Sequence, residues 1–224
     1  MFAAISGRYD LINSLLSFRR DRWWRQFAAI QASVKPGGIV LDVATGTGEL
    51  ARHLSRLNDG GTVIGVDFCH EMLLRARTKL ESSKGKNSVQ LIIGDALQLP
   101  FSNSTFDAVT VGFALRNVAD LKSAFGEIAR VVKPGGRVVS LELYQPQSGV
   151  IRVLYRLLLF RAARWIGALI SGSREAYHYL PASIVEFSTP EEVNEIMESA
   201  GLRNIEIHRL TMGIAAVHIA TGSE

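Results

Sequence analysis

The chain has 224 residues, 47% apolar and 21% charged, enough to bury one sizeable core but cramped for two independent domains. Its formal charge of +4 is compatible with an anionic substrate, a membrane surface or nucleic acid, and so excludes none of them. A single cysteine, Cys69, excludes an intrachain disulfide and points to a reducing, cytoplasmic setting.

Residues 1–33 read as a helical N-terminal cap on the substrate side, with Leu11, Ile12, Leu15, Leu16 and Phe18, then Trp23, Trp24 and Phe27, at mostly helical spacing. Arg8 and Asp10 interrupt the apolar run that a signal peptide would need. Ser33 to Gly38 breaks the helical pattern, and residues 34–224 read as one α/β domain. Strands are predicted at Ile39–Val43, Thr62–Val66, Val89–Ile93, Phe106–Val111 and Arg137–Leu143, with helices at Gly48–Leu57, His70–Lys84 and Ala119–Val132 between them. Short continuous apolar strands alternating with helices indicate a parallel sheet covered on both faces. An insertion of about residues 145–187 interrupts the rhythm. Thr189-Pro190-Glu191-Glu192 then announces a helix through an N-cap threonine, a proline at the first helical position and two acids at the positive end, and Gly201 stops it. Asn204–Arg209 and Ile214–Ala220 are close enough to pair as an antiparallel hairpin around Thr211-Met212-Gly213. The expectation is a Rossmann-like, seven-stranded, mostly parallel sheet.

Between the first strand and its helix lies Asp42-Val43-Ala44-Thr45-Gly46-Thr47-Gly48, where glycines let the backbone turn tightly and approach a ligand. With Ala51 this also satisfies the dinucleotide pattern, so a nicotinamide enzyme is a rival. Three acids favour S-adenosylmethionine. Asp42 is positioned near a cationic, amino-acid-bearing ligand, Asp67 after the second strand could accept from ribose hydroxyls, and Asp95, beside Ala96 after the third, could accept from an adenine amino group. A pyrophosphate would gain little from Asp42. Phe68 and Gly112, at the ends of strands two and four, complete the candidate cofactor set.

The chain resembles the ubiquinone/menaquinone biosynthesis C-methyltransferases, nearest to their demethylmenaquinone methyltransferases, through nearly its whole length. The resemblance is carried by Tyr9-Asp10-Leu11-Ile12-Asn13 with Leu16-Ser17 and Trp24, and by Leu99-Pro100-Phe101 with Phe106-Asp107 and Phe113-Ala114-Leu115-Arg116-Asn117-Val118. It continues in Arg130-Val131-Val132-Lys133-Pro134-Gly135-Gly136 through Glu142, and in Leu210-Thr211-x-Gly213-Ile214 with His218. The chain departs from the family's pattern at Ile12, Asp21, Gly112 and Tyr144, where methionine, histidine, serine and serine are usual. The resemblance implies methyl transfer from S-adenosylmethionine to a ring carbon of a prenylated hydroquinone, with demethylmenaquinol converted to menaquinol.

It also implies that Arg116 and Asn117, just after strand four, face the quinol head. An arginine is a poor base, since its pKa exceeds 12, so its expected role is to stabilise a developing phenolate while Asn117 orients it. Tyr9, Tyr177 and His178 are further substrate-side candidates. The scattered histidines lack the spacing of a metal site, and this chemistry needs no metal. On a helical wheel Ile151, Leu154, Tyr155, Leu158, Leu159, Ala162, Trp165, Ile166 and Leu169 share a sector of about 140°, opposite Arg152, Arg156, Arg161 and Arg164. This amphipathic helix suits a lid over an isoprenoid tail, a peripheral contact with anionic headgroups, or both, and its four arginines argue against a spanning helix. Other readings are a methyltransferase of the same fold acting on another hydrophobic small molecule, and a non-catalytic scaffold of a quinone-synthesis complex. No recognition module or N/D-P-P-Y/F-type tetrad supports nucleic acid. Sequence leaves open whether the protein is a monomer or a homodimer.

Overall fold

The computed structural model describes residues 10, 13–14, 17, 19–82, 89–169 and 181–223, with side chains 82 and 162–169 outside that description. The elements are α1 (Asp21–Gln31), β1 (Ile39–Val43), α2 (Glu49–Leu57), β2 (Thr62–Asp67), α3 (His70–Ser82), β3 (Val89–Ile93) and β4 (Phe106–Gly112). They continue with α4 (Leu121–Val131), β5 (Val132–Leu143), α5 (Gly149–Leu169), α6 (Pro190–Ser199), β6 (Arg203–Leu210) and β7 (Ala215–Thr221). Residues 181–186 are also helical.

One seven-stranded sheet runs in the order β3-β2-β1-β4-β5-β7-β6. The first five strands in that order are parallel, β7 is antiparallel to β5, and β6 is antiparallel to β7. The expected hairpin therefore forms, with its second strand inserted next to β5. Successive strand residues go to opposite faces. Val40, Val63 and Ala108 join Trp24, Ala28, Leu50 and Leu54 on the face covered by α1 and α2. Leu41, Val66 and Val109 join Phe125, Ile128, Val193 and Met197 on the face covered by α4 and α6. Burial on both faces is why these strands read as largely apolar runs rather than as alternation.

Local chemistry sets the helix starts. Thr189 accepts from the Glu192 backbone N–H at 3.2 Å and Glu192 returns a bond to the Thr189 N–H at 2.7 Å, a complete capping box with Pro190 at the first helical position. Asp120 caps α4 through the Ser123 N–H at 3.1 Å.

Two boundaries differ notably from the sequence reading, and α5 shows how its apolar sector is used. The N-terminal region is not one helix, because Arg19 adopts a φ of 62° ahead of α1. Strand β5 begins five residues early, since Val132 already pairs with Phe106 before a register shift. On α5 the apolar sector is divided: Tyr155 and Leu159 pack on Ile184, whereas Leu154 and Leu158 are 56% and 43% exposed. Val150, Val153, Leu157 and Phe160 are exposed too, so apolar surface extends well round the helix. Arg152 lies on α5 but donates to the carbonyls of Pro146 and Gln147, which fastens the start of the helix. Among the described residues no helix is long and apolar enough to cross a membrane.

Candidate active site

The order in which strands are added reverses between β1 and β4, which are parallel neighbours although β2 and β3 lie between them in sequence. Open α/β sheets bind ligands at such a switch point, beyond the carboxyl ends of the strands. A cavity of about 290 Å³ lies there, at the small end of the range for small-molecule sites. Its lining brings together Asp42, Thr45, Gly46, Thr47, Asp67, Phe68, Asp95, Ala96, Gly112 and Asn117, ten of the residues singled out from sequence.

Each of them is held by its own local structure. Asp42, 1% exposed on β1, accepts from the hydroxyls of Thr45 and Thr110, both at 2.7 Å. Burial pushes its pKa up to about 6 against those hydrogen bonds. Asp67 accepts from the backbone N–H groups of Gly46 at 2.7 Å and Cys69 at 2.9 Å, so it fastens the glycine loop to the end of β2. Burial raises its pKa as well. Both carboxylates keep unshared lone pairs for a ligand beyond these bonds. Asp95 is exposed and accepts from the Leu97 N–H at 2.9 Å, while Phe68, 67% exposed, offers an open ring.

In the loop, Ala44, Gly46 and Gly48 all have positive φ. A Cβ on Gly46 would meet nothing within 4 Å, so its backbone faces open space. Gly48 does not line the cavity. It serves the loop from outside, with φ of +77° and a Cβ position 3.2 Å from Ala76 on α3, so only glycine fits without strain and crowding. Thr47 donates its hydroxyl to Asp10, whose other carboxylate oxygen takes Lys79, which ties the N-terminal segment over the loop.

The acids match an adenosine ligand with a cationic amino-acid end better than a dinucleotide. Glu49 occupies the first turn of α2, where a pyrophosphate would have to sit. Its burial is outweighed by hydrogen bonds and charges from Arg52 and Lys79, which bring its pKa to about 2 and keep it anionic.

Arg116 and Asn117 occupy a 3-10 turn after β4, and the structure separates them. Asn117 lines the cavity, whereas Arg116 is absent from the lining. The Arg116 side chain is 2% exposed, paired with the fully buried Glu142 of β5, and donates to the Phe113 carbonyl at 3.1 Å. Tyr9, Tyr177 and His178 lie outside the described residues. His218 is fully buried against the Pro190 carbonyl at 2.9 Å, and burial lowers its pKa, which makes it a neutral structural group.

Sequence reasoning missed Arg25 and Phe113. Arg25 lies 7% exposed in the cavity wall, its guanidinium carbon 4.9 Å from the centre of the Phe113 ring. Phe113 has a φ of 58° and lines both this cavity and a smaller cleft walled by Asn13, Ser17, Trp24, Tyr155, Leu159 and Ile184. The only sequence signal for Arg25 was the i,i+4 spacing from Asp21, its ion-pair partner.

Comparison with known proteins agrees with this geometry. The model of the ubiE/COQ5 methyltransferase family matches residues 1–222, and the chain belongs to this family. It is 44% identical over 219 residues to a demethylmenaquinone methyltransferase of Thermus thermophilus, covering 98% of each chain. It is 37% identical over 219 residues to the ubiquinone/menaquinone biosynthesis C-methyltransferase UbiE of Geotalea daltonii, covering 97% of this chain and 93% of the relative. A solved SAM dependent methyltransferase from Aquifex aeolicus shares the fold, with a TM-score of 0.65 at 20% identity over 88% of this chain and 89% of that one.

Proposed function

We propose that this member of the ubiE/COQ5 methyltransferase family transfers a methyl group from S-adenosylmethionine to a ring carbon of demethylmenaquinol. The observation that carries the reading is the acid-lined switch-point cavity meeting, at Phe113, a cleft walled mostly by apolar side chains under α5. S-adenosylmethionine, when bound, supplies an electrophilic sulfonium methyl. Asp42, Asp67, Asp95 and the glycine loop hold the amino-acid, ribose and adenine parts, with Phe68 against the base.

The acceptor ring must be the reduced hydroquinone, because the electron-poor quinone is not a nucleophile. Loss of a phenolic proton puts charge on the ring carbon that attacks the methyl, so the protein must align two partners, exclude water and stabilise a phenolate. Asn117 on the cavity wall orients the quinol oxygen. Arg116 is a positioning residue, since its bonds to Glu142 and the Phe113 carbonyl hold the turn that carries Asn117 while its charge sits behind the phenolate. Asn13 and Ser17 from the N-terminal region and Tyr155 and Leu159 from the insertion wall the cleft on the substrate side.

The prenyl tail follows the cleft beneath Tyr155, Leu159 and Ile184. The exposed apolar residues of α5 rest on the anionic, cytoplasmic face of a membrane, with the exposed Arg156 and Arg161 at the headgroups. Labelled S-adenosylmethionine supplied with a panel of reduced demethylquinones, with products identified by mass, tests the reaction. Methylation of another lipid and of no quinol would overturn it. Failure to float with anionic vesicles at low salt would remove the membrane contact.

A further inference from the structure

The cavity wall carries four carboxylate side chains, Asp42, Glu49, Asp67 and Asp95, and among its described residues one cationic side chain, Arg25. Arg25 comes from α1, outside the strand-loop-helix pattern that supplies the rest of the wall. Burying a guanidinium is costly unless it is paired and hydrogen-bonded. Here Asp21 accepts from Nη1, Asp21 in turn accepts from the Ser17 hydroxyl at 3.0 Å, and the Phe113 ring lies 4.9 Å from the guanidinium carbon. The bond to Asp21 uses one of five N–H donors, so the group is fixed in orientation and can still serve a second carboxylate. Arg25 and Asp42 also sense each other, since the arginine's charge lowers the Asp42 pKa against the larger effect of burial. A zwitterionic amino-acid group needs a fork of donors for its carboxylate and an acceptor for its ammonium, and this end of the cavity supplies both.

We propose that Arg25 anchors the α-carboxylate at the amino-acid end of the bound cofactor, with Asp21 and Phe113 holding its guanidinium in place. The inference rests on reading the cavity as the S-adenosylmethionine site. It makes α1 part of that site, so that cofactor binding and seating of the N-terminal region on the sheet support each other.

Calorimetry on the full chain with two ligands tests this: S-adenosylhomocysteine, which carries the carboxylate, and 5′-methylthioadenosine, which lacks the whole amino-acid group. Arg25→Gln is expected to weaken S-adenosylhomocysteine roughly 10- to 100-fold, the range for a hydrogen bond to a charged group, and to leave methylthioadenosine within about twofold. Arg22→Gln, on the exposed face of the same helix, is expected to change neither. Unchanged S-adenosylhomocysteine affinity in Arg25→Gln overturns the proposal, and so does an equal loss for both ligands in a folded variant. If glutamine unfolds the protein, Arg25→Lys decides, because its point charge lacks the fork: a few-fold loss confined to S-adenosylhomocysteine supports the anchor and an equal loss overturns it. A wild-type protein that binds neither nucleoside overturns the cofactor reading itself.

Discussion

Replacing Asp42 by asparagine is expected to stabilise the ligand-free protein above pH 6 while weakening its hold on the cofactor. The Asp42 carboxyl is 1% exposed, and burial raises its pKa from 3.8 to about 6. Between those values the fold keeps a proton that the unfolded chain has released. The stability this group contributes is therefore fully present below 3.8 and is lost as the pH rises through about 6. At pH 8 the gap amounts to about 3 kcal/mol that ionised Asp42 costs the ligand-free fold. Asparagine cannot ionise, and its amide can still meet the hydroxyls of Thr45 and Thr110. Urea unfolding at two pH values gives the test. The variant should exceed the wild type by about 3 kcal/mol at pH 8 and by about half as much at pH 5. A difference that ignores pH, or a variant less stable at pH 8, would refute the reasoning. Binding should move the other way, since the variant loses the anion opposite the ligand's cationic end. Affinity for S-adenosylhomocysteine that is unchanged by calorimetry would show that the buried charge serves some other purpose.

Four further outcomes are expected. Glu142→Ala leaves the buried Arg116 guanidinium without its carboxylate and should cost about 3–5 kcal/mol in urea unfolding; a loss below about 1 kcal/mol would mean that the pair is dispensable. His218, neutral in the fold because burial lowers its pKa, should make stability fall as the pH drops below the ordinary value of 6.5, where the unfolded chain takes up its proton first. His218→Asn should flatten that fall, and parallel stability curves for variant and wild type between pH 7 and 5 would refute the assignment. Gly48→Ala must hold a left-handed backbone and crowd Ala76, so a loss of about 2 kcal/mol or more is expected in the melting profile, against no loss if the loop can shift freely. Thr189→Ala removes half of the capping box and should cost about 1 kcal/mol, whereas an unchanged midpoint would mean that α6 is held by packing alone.

Features set by neighbouring residues are legible in the amino-acid sequence itself. Thr189 to Glu192 writes its own helix start, because an N-cap satisfies backbone donors only three positions away. The inner parallel strands β1, β2, β4 and β5 stand out as largely apolar runs, because burial on both faces removes alternation. The loop from Asp42 to Gly48 is legible too, since a tight turn between a strand and a helix demands glycine. Tertiary structure decided what depends on distant partners. It seated Trp24 against the hydroxyl of Thr211, 187 positions away, and so brought Arg25 to the switch-point cavity. It also turned Arg116 inward to Glu142, 26 positions along, leaving Asn117 at the cavity wall. The reason is the same in both cases. A charged side chain takes its role from the partner that offsets its desolvation, and for Arg116 that partner lies on the next strand, while for Arg25 the ring and cavity wall that complete its surroundings lie far along the chain from Asp21. Periodicity along the chain reports which face of an element is buried, and it carries no record of which element arrives to cover it.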